Sequence, residues 1–169
     1  MKKPEKHVYY PIYLDLKNRK TVIIGGGKKA LNKVLSLIET QANIVVISKD
    51  VVPALSTLAD EQQITIINRA YKHGDLKDAF IVIVMDTSDS SINHAVHKEA
   101  SERNIVCNVE DVTNLCTFIT PAIVRRGDVT VAISTSGTSP ALARKFREVL
   151  SGTSSIINTH SIMEFADLT

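Results

Sequence analysis

The stretch Thr21-Val22-Ile23-Ile24-Gly25-Gly26-Gly27-Lys28-Lys29-Ala30 decides the fold of this chain. Its apolar run ends in Gly-x-Gly-x-x-Ala, which predicts a buried strand that turns sharply into a helix. Side chains at Gly25 and Gly27 would obstruct the turn and the approach of a pyrophosphate to the backbone. Ala30 lets the helix pack closely on the strand. The motif therefore predicts a phosphate cradle for a bound dinucleotide.

Two lysines follow the glycines, in the first turn of the predicted helix. The helix macrodipole already places partial positive charge there, so Lys28 and Lys29 would mildly destabilise an empty site. A bound anion would remove that penalty. The alternative is that both side chains simply extend into water.

Length and composition describe one ordinary globular protein with a small appended element. The chain has 169 residues, 44% hydrophobic and 22% charged, with a net charge of +2, which argues against nucleic-acid binding. No apolar run reaches membrane-spanning length and no signal-peptide core follows Met1, so we expect a cytoplasmic protein without membrane contact. Cys107 and Cys116 fit neither a zinc site nor a disulfide framework, and the histidines are scattered; we expect no metal.

Strand and helix patterns alternate through the first two thirds of the chain. Five short apolar runs predict strands, at Lys20 to Ile24, Asn43 to Ile47, Ile64 to Asn68, Phe80 to Val84 and Ile105 to Val109. Helical spacing lies between most of them, at Ala30 to Glu39, Val52 to Ala59 and Ser91 to Glu102. This order predicts an α/β fold, a Rossmann-like doubly wound parallel sheet with right-handed crossovers.

After Asp111 the pattern changes. Two apolar runs, Phe118 to Val124 and Val129 to Ser134, predict a hairpin, and a helix follows with Ser139 as N-cap and Pro140 at its first position. An isolated hairpin is marginal in water, so it should pair with the main sheet or with a second copy of the chain. We therefore divide the chain into an NAD-binding domain at 1–112, a small α+β dimerisation segment at 113–150 and a C-terminal helical tail at 151–169.

Polar residues follow the predicted strands at the carboxyl edge of the sheet, where ligands bind in such folds. The second strand ends at Ser48, Lys49 and Asp50, near the place of the adenosine ribose. Asp50 would accept ribose hydroxyls and Lys49 would favour a 2′-phosphate, so this spot leaves NAD and NADP open. Thr87 lies in the polar stretch after the fourth strand and is predicted to contact the cofactor.

The fifth strand ends at Asn108-Val109-Glu110-Asp111, at the same edge. A substrate that loses a hydride also loses a proton, and a carboxylate beside the nicotinamide would accept it. Asp111 is therefore the candidate general base. The alternative is that Asp111 caps the short turn that begins at Val112.

A second anion site is predicted after the hairpin, where hydroxyls and backbone amides gather at a helix N-terminus. The segment 117–150 also carries five basic residues against two acidic ones, which suits a substrate rich in carboxylates; a solvated helix face is the alternative. The predicted anion-binding residues are Ser134, Thr135, Ser136, Gly137, Thr138 and Ser139.

Five motifs in register resemble the precorrin-2 dehydrogenases of siroheme biosynthesis. They are Tyr10-Pro11-Ile12-Tyr13-Leu14-Asp15-Leu16, Ile24-Gly25-Gly26-Gly27-x-x-Ala30-x-x-Lys33, Asn108-Val109-x-Asp111, Phe118-x-x-Pro121-Ala122-Ile123-Val124 and Ser134-x-x-Gly137-Thr138-Ser139-Pro140-x-Leu142-Ala143-Arg144. The resemblance covers most of the chain, from about Tyr10 to Leu150.

The resemblance implies a homodimeric enzyme that oxidises precorrin-2 to sirohydrochlorin with NAD⁺. It implies that Gly25, Gly27, Lys28 and Lys29 hold the pyrophosphate, that Ser48, Lys49 and Asp50 face the ribose, and that Asp111 is the essential aspartate. The tetrapyrrole would contact Asn108 and the hydroxyl loop.

The chain departs from the family pattern at three points. Family members often carry an acidic and an aliphatic residue in place of Lys28-Lys29, and an arginine in place of Asn32. Many continue into a larger helical domain, of which 151–169 would be a short or incomplete counterpart. Two alternatives stay open: a bifunctional enzyme that also inserts Fe²⁺ into sirohydrochlorin, and a non-catalytic NAD-sensing dimeric module.

Overall fold

A computed structural model describes residues 8–136 and 138–152. The chain divides into two compact units, Tyr10–Phe118 and a second unit that combines the described residues before Tyr10 with those from Ile119 onward. This division lies a few residues beyond the domain boundary predicted at 112. The predicted C-terminal tail lies outside the described residues beyond Gly152.

The first unit is a five-stranded parallel sheet in the order β3-β2-β1-β4-β5. The strands are β1 (Lys20–Ile24), β2 (Asn43–Ser48), β3 (Thr65–Asn68), β4 (Ile81–Val84) and β5 (Val106–Val109). The helices are α1 (Lys28–Ile38), α2 (Pro53–Asp60) and α3 (Ser90–Glu102). The chain winds outward from β1 in one direction and then in the other, which confirms the doubly wound, Rossmann-like sheet predicted from the sequence.

Both faces of the sheet are covered. Val22 and Ile24 of β1 belong to the core cluster that includes Val96 and Ala100 of α3. Ile23, which points to the opposite face, packs with residues of α1 and α2 such as Val34 and Leu55. A strand buried on both faces must be apolar at nearly every position, which is why the inner strands β1 and β4 could be predicted as continuous apolar runs. The edge strand β3 is only partly buried, at Ile66 and Ile67.

The second unit is a hairpin and a helix. β6 (Ala122–Arg126) pairs antiparallel with β7 (Val129–Ile133), Gly127 at the turn has φ 55°, and α4 (Pro140–Gly152) packs on both strands. Among the described residues, β6 and β7 pair with each other and not with the parallel sheet.

The predicted start of the hairpin at Phe118 is wrong. The Phe118 carbonyl accepts a hydrogen bond from Asn108 Nδ2 at 3.0 Å, and its ring packs against the core of the parallel sheet. Pro121 has no N–H to give to a strand ladder. The first hairpin strand therefore begins only at Ala122.

Candidate functional site

The turn from β1 to α1 requires glycine at two positions for different reasons. Gly25 has φ 114°, and a Cβ there would lie 2.8 Å from the backbone nitrogen of Asp86. A Cβ on Gly26 would lie 2.1 Å from the carbonyl oxygen of Asp50. A Cβ on Gly27 would meet no atom within 4 Å. Gly25 and Gly26 therefore serve the packing of the turn, whereas Gly27 faces open space where a ligand can approach the backbone.

Gly26 was not among the predicted site residues. Its carbonyl accepts from the Val52 N–H at 2.8 Å, and Ser48 Oγ donates to the Asp50 carbonyl at 2.7 Å. These bonds fasten the β2–α2 loop against the glycine turn. The sequence did contain a signal for this role. The Gly-x-Gly motif requires glycine only at positions 25 and 27, so a glycine at position 26 indicates a further close contact.

The N-terminus of α1 opens from this turn without a side-chain cap. Gly27 is the N-cap residue, no acidic side chain lies in the first turn, and the Leu31 N–H donates to the Gly27 carbonyl at 3.0 Å. The first N–H groups of a helix lack intrahelical acceptors and carry partial positive charge. An uncapped helix start beside an open glycine suits a pyrophosphate.

A cleft of about 680 Å³ lies at the carboxyl edge of β1, β2 and β4, a size typical of small-molecule sites. Its floor is the glycine turn, and polar groups follow each strand. The lining residues most relevant to a nucleotide are Gly25, Gly26, Gly27, Ser48, Lys49, Asp50, Tyr71, Asp86, Ser88 and Asp89. The residues present therefore fit a dinucleotide.

The predicted cofactor residues fall into two groups. Gly25, Gly27, Ser48, Lys49 and Asp50 line the cleft together. The three that are not among its lining residues are Lys28, Lys29 and Thr87. Lys28 is exposed, Lys29 lines a separate groove, and the Thr87 carbonyl accepts from Asn93 Nδ2 at 3.2 Å.

Asp111 lies two residues beyond the end of β5, with its backbone in the left-handed region at φ 60°. Its Oδ2 accepts a hydrogen bond from Lys29 Nζ at 3.0 Å, and both side chains are exposed. The 3₁₀ turn that follows (Thr113–Leu115) has Val112 as its N-cap and receives no side-chain cap. The alternative role of Asp111 as a turn cap is therefore absent from this structure.

Asn108 is buried in β5. Besides its bond to Phe118, its Nδ2 lies 3.6 Å from Cys116 Sγ, while Oδ1 has no hydrogen-bond partner. The amide thus holds the segment after β5 against the sheet. Its predicted contact with substrate stays a prediction.

The hydroxyl loop before α4 is held by its own hydrogen bonds. Ser136 N donates to Ser134 Oγ at 3.1 Å, and Ser139 N donates to Thr135 Oγ1 at 3.1 Å. Thr138 Oγ1 donates to the Thr135 carbonyl, and Ser139 Oγ accepts from the Leu142 N–H at 3.4 Å, which confirms Ser139 as the N-cap. Gly137 lies outside the described residues. Substrate binding by this loop stays a prediction.

The two cysteines and His97 serve packing in the part of the chain that the structure describes, whereas His73 and His94 are exposed. Burial raises the pKa of the Cys107 thiol to about 12. Cys116, half-buried, hydrogen-bonds within the turn after β5, and His97 Nδ1 lies 2.9 Å from the Leu115 carbonyl. Residues 8–136 and 138–152 contain no group of three or more His, Cys, Asp or Glu side chains placed to hold a metal, and no helix among them is long and apolar enough to cross a membrane.

Behind one wall of the cleft lies a buried carboxylate that the sequence pattern did not reveal. Glu99 of α3 is fully buried, and its carboxylate accepts from Tyr71 Oη at 2.5 Å, Gly74 N at 2.9 Å and Arg103 Nε at 2.9 Å. Burial raises the pKa of Glu99, but these three donors outweigh it and leave the pKa below its ordinary value of 4.5. The network holds the β3–β4 connection, and with it the Tyr71 ring that lines the cleft.

Replacing Glu99 with alanine is expected to lower the free energy of unfolding by about 2 to 4 kcal/mol, because the donors around it lose a buried acceptor. Urea unfolding at pH 7 measures the change. Glu102→Ala, an exposed site on the same helix, is the matched control and should change stability by less than about 0.5 kcal/mol. Equal losses in both variants would contradict a special role for Glu99.

The same network predicts a pH dependence. The folded-state pKa of Glu99 is lowered, so its stabilisation is complete above the ordinary value of 4.5 and is lost as the pH falls through the lowered pKa. The stability difference between wild type and Glu99→Gln should therefore shrink in acid. A difference that grows in acid would contradict this assignment.

Two family models of known proteins match nearly the whole chain between residues 12 and 151. The family model described as "Putative NAD(P)-binding" matches residues 12–122, and the model described as "Sirohaem biosynthesis protein central" matches residues 126–151. The siroheme synthase of Pseudoalteromonas atlantica and siroheme synthase 1 of Serratia proteamaculans are each 39% identical over 142 residues, which is 84% of this chain.

These relatives are longer proteins, and this chain spans about 30% of their length. A solved structure of SirC, a precorrin-2 dehydrogenase, superposes with a TM-score of 0.75 at 26% identity and covers 85% of this chain and 70% of its own. The chain belongs to the NAD(P)-binding family of siroheme biosynthesis that includes the precorrin-2 dehydrogenases.

Proposed function

We propose that this chain oxidises precorrin-2 to sirohydrochlorin with NAD⁺. The observation that carries the proposal is the convergence of an open, uncapped glycine turn with an exposed carboxylate, Asp111, at the carboxyl edge of one parallel sheet. The structural likeness to a precorrin-2 dehydrogenase supports this choice of substrate. The cytoplasmic location predicted from the sequence belongs to the same proposal.

The cofactor would be held by the cleft described above. Gly27 and the first N–H groups of α1 would bind the pyrophosphate, and Ser48, Lys49 and Asp50 would face the adenosine ribose. Asp50, two residues after β2, would accept ribose hydroxyls, whereas Lys49 would favour a 2′-phosphate, so these residues alone do not select the cofactor. We propose NAD because the resemblance to the precorrin-2 dehydrogenases implies it. When NAD⁺ is bound, its nicotinamide ring would accept the hydride from the substrate.

Asp111 would accept the proton that the substrate loses together with its hydride. Its position after β5 places the carboxylate at the sheet edge, and its exposure leaves it accessible to a substrate. A carboxylate within hydrogen-bond reach of a reacting carbon acid accelerates such a step by about 10²- to 10⁴-fold. This role defines Asp111 as the general base of the proposal.

The substrate is rich in carboxylates, and the second unit carries the positive charge that would attract them. Cations occur in the hairpin and along α4, and the hydroxyl loop supplies amide and hydroxyl donors. We propose that Asn108 and the loop residues Ser134 to Ser139 contact the tetrapyrrole.

The second unit would also form a homodimer. On α4, Leu142 is 48% exposed and Phe146 is 52% exposed, one helical turn apart, and Ile123 of β6 is 41% exposed. Exposed large apolar side chains on a helix and on a hairpin strand are typical of residues in an interface between subunits.

Sedimentation at micromolar concentration is expected to give about twice the 18.5 kDa mass of the chain. Phe146→Glu would place a charge in the apolar surface and should shift the protein toward monomer without unfolding it. A wild-type protein that sediments as a monomer would contradict the homodimer.

The proposed function is tested by identifying the product. Incubation of the protein with NAD⁺ and precorrin-2 without oxygen should convert the absorption spectrum to that of sirohydrochlorin, and omission of the protein should not. Nucleotide binding without this conversion would instead support the NAD-sensing module. Addition of Fe²⁺ to the same mixture tests the bifunctional alternative, in which siroheme forms faster than in a matched mixture of Fe²⁺ and sirohydrochlorin without the protein.

A further inference from the structure

The ion pair between Lys29 and Asp111 joins two elements that are distant in sequence. Lys29 lies in the first turn of α1, directly after β1, whereas Asp111 follows β5 at the other side of β4. The atoms Lys29 Nζ and Asp111 Oδ2 are 3.0 Å apart. The pair thus spans the carboxyl edge of the sheet over the end of β4.

The position of Lys29 differs from the position expected of a pyrophosphate ligand. Its side chain lines a groove of about 250 Å³ with Lys33, Met85 and Glu110, and not the larger cleft that contains Gly27. Asp111 raises the pKa of Lys29 through its hydrogen bond and its negative charge, and Glu110 adds a smaller effect in the same direction. The ammonium is therefore directed toward the carboxylates after β5.

We propose that Lys29 is a positioning residue for dehydrogenation, whose ammonium orients the Asp111 carboxylate toward the substrate and does not hold the pyrophosphate. The inference rests on the proposed function, in which Asp111 accepts a proton. An ammonium on Oδ2 restricts rotation of the carboxylate and leaves the other oxygen as an acceptor.

Stability alone does not account for this pair. The side chains of Lys29 and Asp111 are 62% and 71% exposed, and ion pairs in water contribute little to folding. The backbone of Asp111 is held at φ 60°, which a residue other than glycine adopts at some cost. The backbone conformation of Asp111 and its ion pair with Lys29 together restrict the direction of the Asp111 carboxylate.

The first test compares two variants. Lys29→Met keeps a long, flexible side chain without the charge, and Lys29→Arg keeps the charge. Lys29→Met is expected to lower kcat by about 10- to 100-fold with no change in the calorimetric Kd for NAD⁺, and Lys29→Arg should recover most of the rate. Lys98→Met, at an exposed site on α3, is the control and should behave as wild type. Weaker NAD⁺ binding with normal kcat at saturation would overturn the inference and return Lys29 to the pyrophosphate.

The second test is a double variant. Once Asp111→Asn has removed the carboxylate, addition of Lys29→Met should lower the rate no further, because the lysine acts through that carboxylate. Additive losses would overturn the inference.

A third measurement does not depend on turnover. Because Asp111 raises the pKa of Lys29, NMR titration of the labelled Lys29 side chain should show a lower pKa in Asp111→Asn than in wild type. An unchanged pKa would mean that the pair does not form and would overturn the inference. A wild-type protein with no activity would overturn the proposed function and the positioning role together, and the titration would then show whether the ion pair itself exists.

Discussion

Asp111→Asn is expected to bind NAD⁺ with unchanged affinity and to lose dehydrogenation by about 10²- to 10⁴-fold. The amide keeps the size of the side chain but cannot accept a proton at neutral pH. Asparagine also tolerates the left-handed backbone that Asp111 adopts at φ 60°, so the local fold should persist. Steady-state rates and calorimetric NAD⁺ affinity measure the two halves of this prediction.

The adjacent carboxylate provides the matched control for that variant. Glu110→Gln removes a negative charge one residue away, in the groove beside α1, and is expected to retain most of the turnover. Normal turnover in Asp111→Asn together with melting several degrees lower would contradict the catalytic role. Asp111 would then be a structural residue, and proton removal would fall to another group or to solvent.

Gly27→Asp is expected to abolish NAD⁺ binding and to leave the fold intact. A Cβ at Gly27 meets no atom within 4 Å, and its backbone at φ −83° and ψ −172° suits any residue. The new carboxylate would occupy the N-cap position of α1 and accept the N–H groups that a pyrophosphate needs. The melting temperature should therefore be unchanged or slightly higher while nucleotide affinity is lost.

Gly26→Ala is the contrasting variant at the same turn. Its Cβ would approach the Asp50 carbonyl to 2.1 Å, so this variant should lose stability because the β2–α2 loop must move. The pair of variants separates ligand binding from packing within one motif. An unchanged NAD⁺ affinity of Gly27→Asp in calorimetry would contradict the assignment of the glycine turn to the pyrophosphate.

The elements that could be predicted from the sequence are those determined by local pattern. The inner strands β1 and β4 are short apolar runs because they are buried on both faces, and the glycine turn marks the start of α1. Gly25 was correctly assigned to the sharp turn, where both its positive φ and the closeness of the Asp86 backbone require glycine. Ser139 and Pro140 likewise predicted the start of α4.

The features that sequence patterns missed depend on contacts between distant residues. Tyr71 and Glu99 are 28 positions apart, and Lys29 and Asp111 are 82 positions apart; neither pair has a periodic or motif signal. Glu99 lies on the buried face of α3 three residues after Val96, and two of its three donors, Tyr71 and Gly74, come from the β3–β4 connection. Lys29 was predicted as a pyrophosphate ligand from its place in the helix, and its hydrogen bond to Asp111 is the contact from which we propose a different role.

The most direct test of the central claim is the initial rate of NADH formation at 340 nm with NAD⁺ and precorrin-2 under anaerobic conditions. Wild-type protein is expected to form one NADH for each precorrin-2 converted, and Asp111→Asn and Gly27→Asp should form almost none, the first with bound NAD⁺ and the second without it. Saturable NAD⁺ binding by the wild-type protein with no NADH formed would contradict the account.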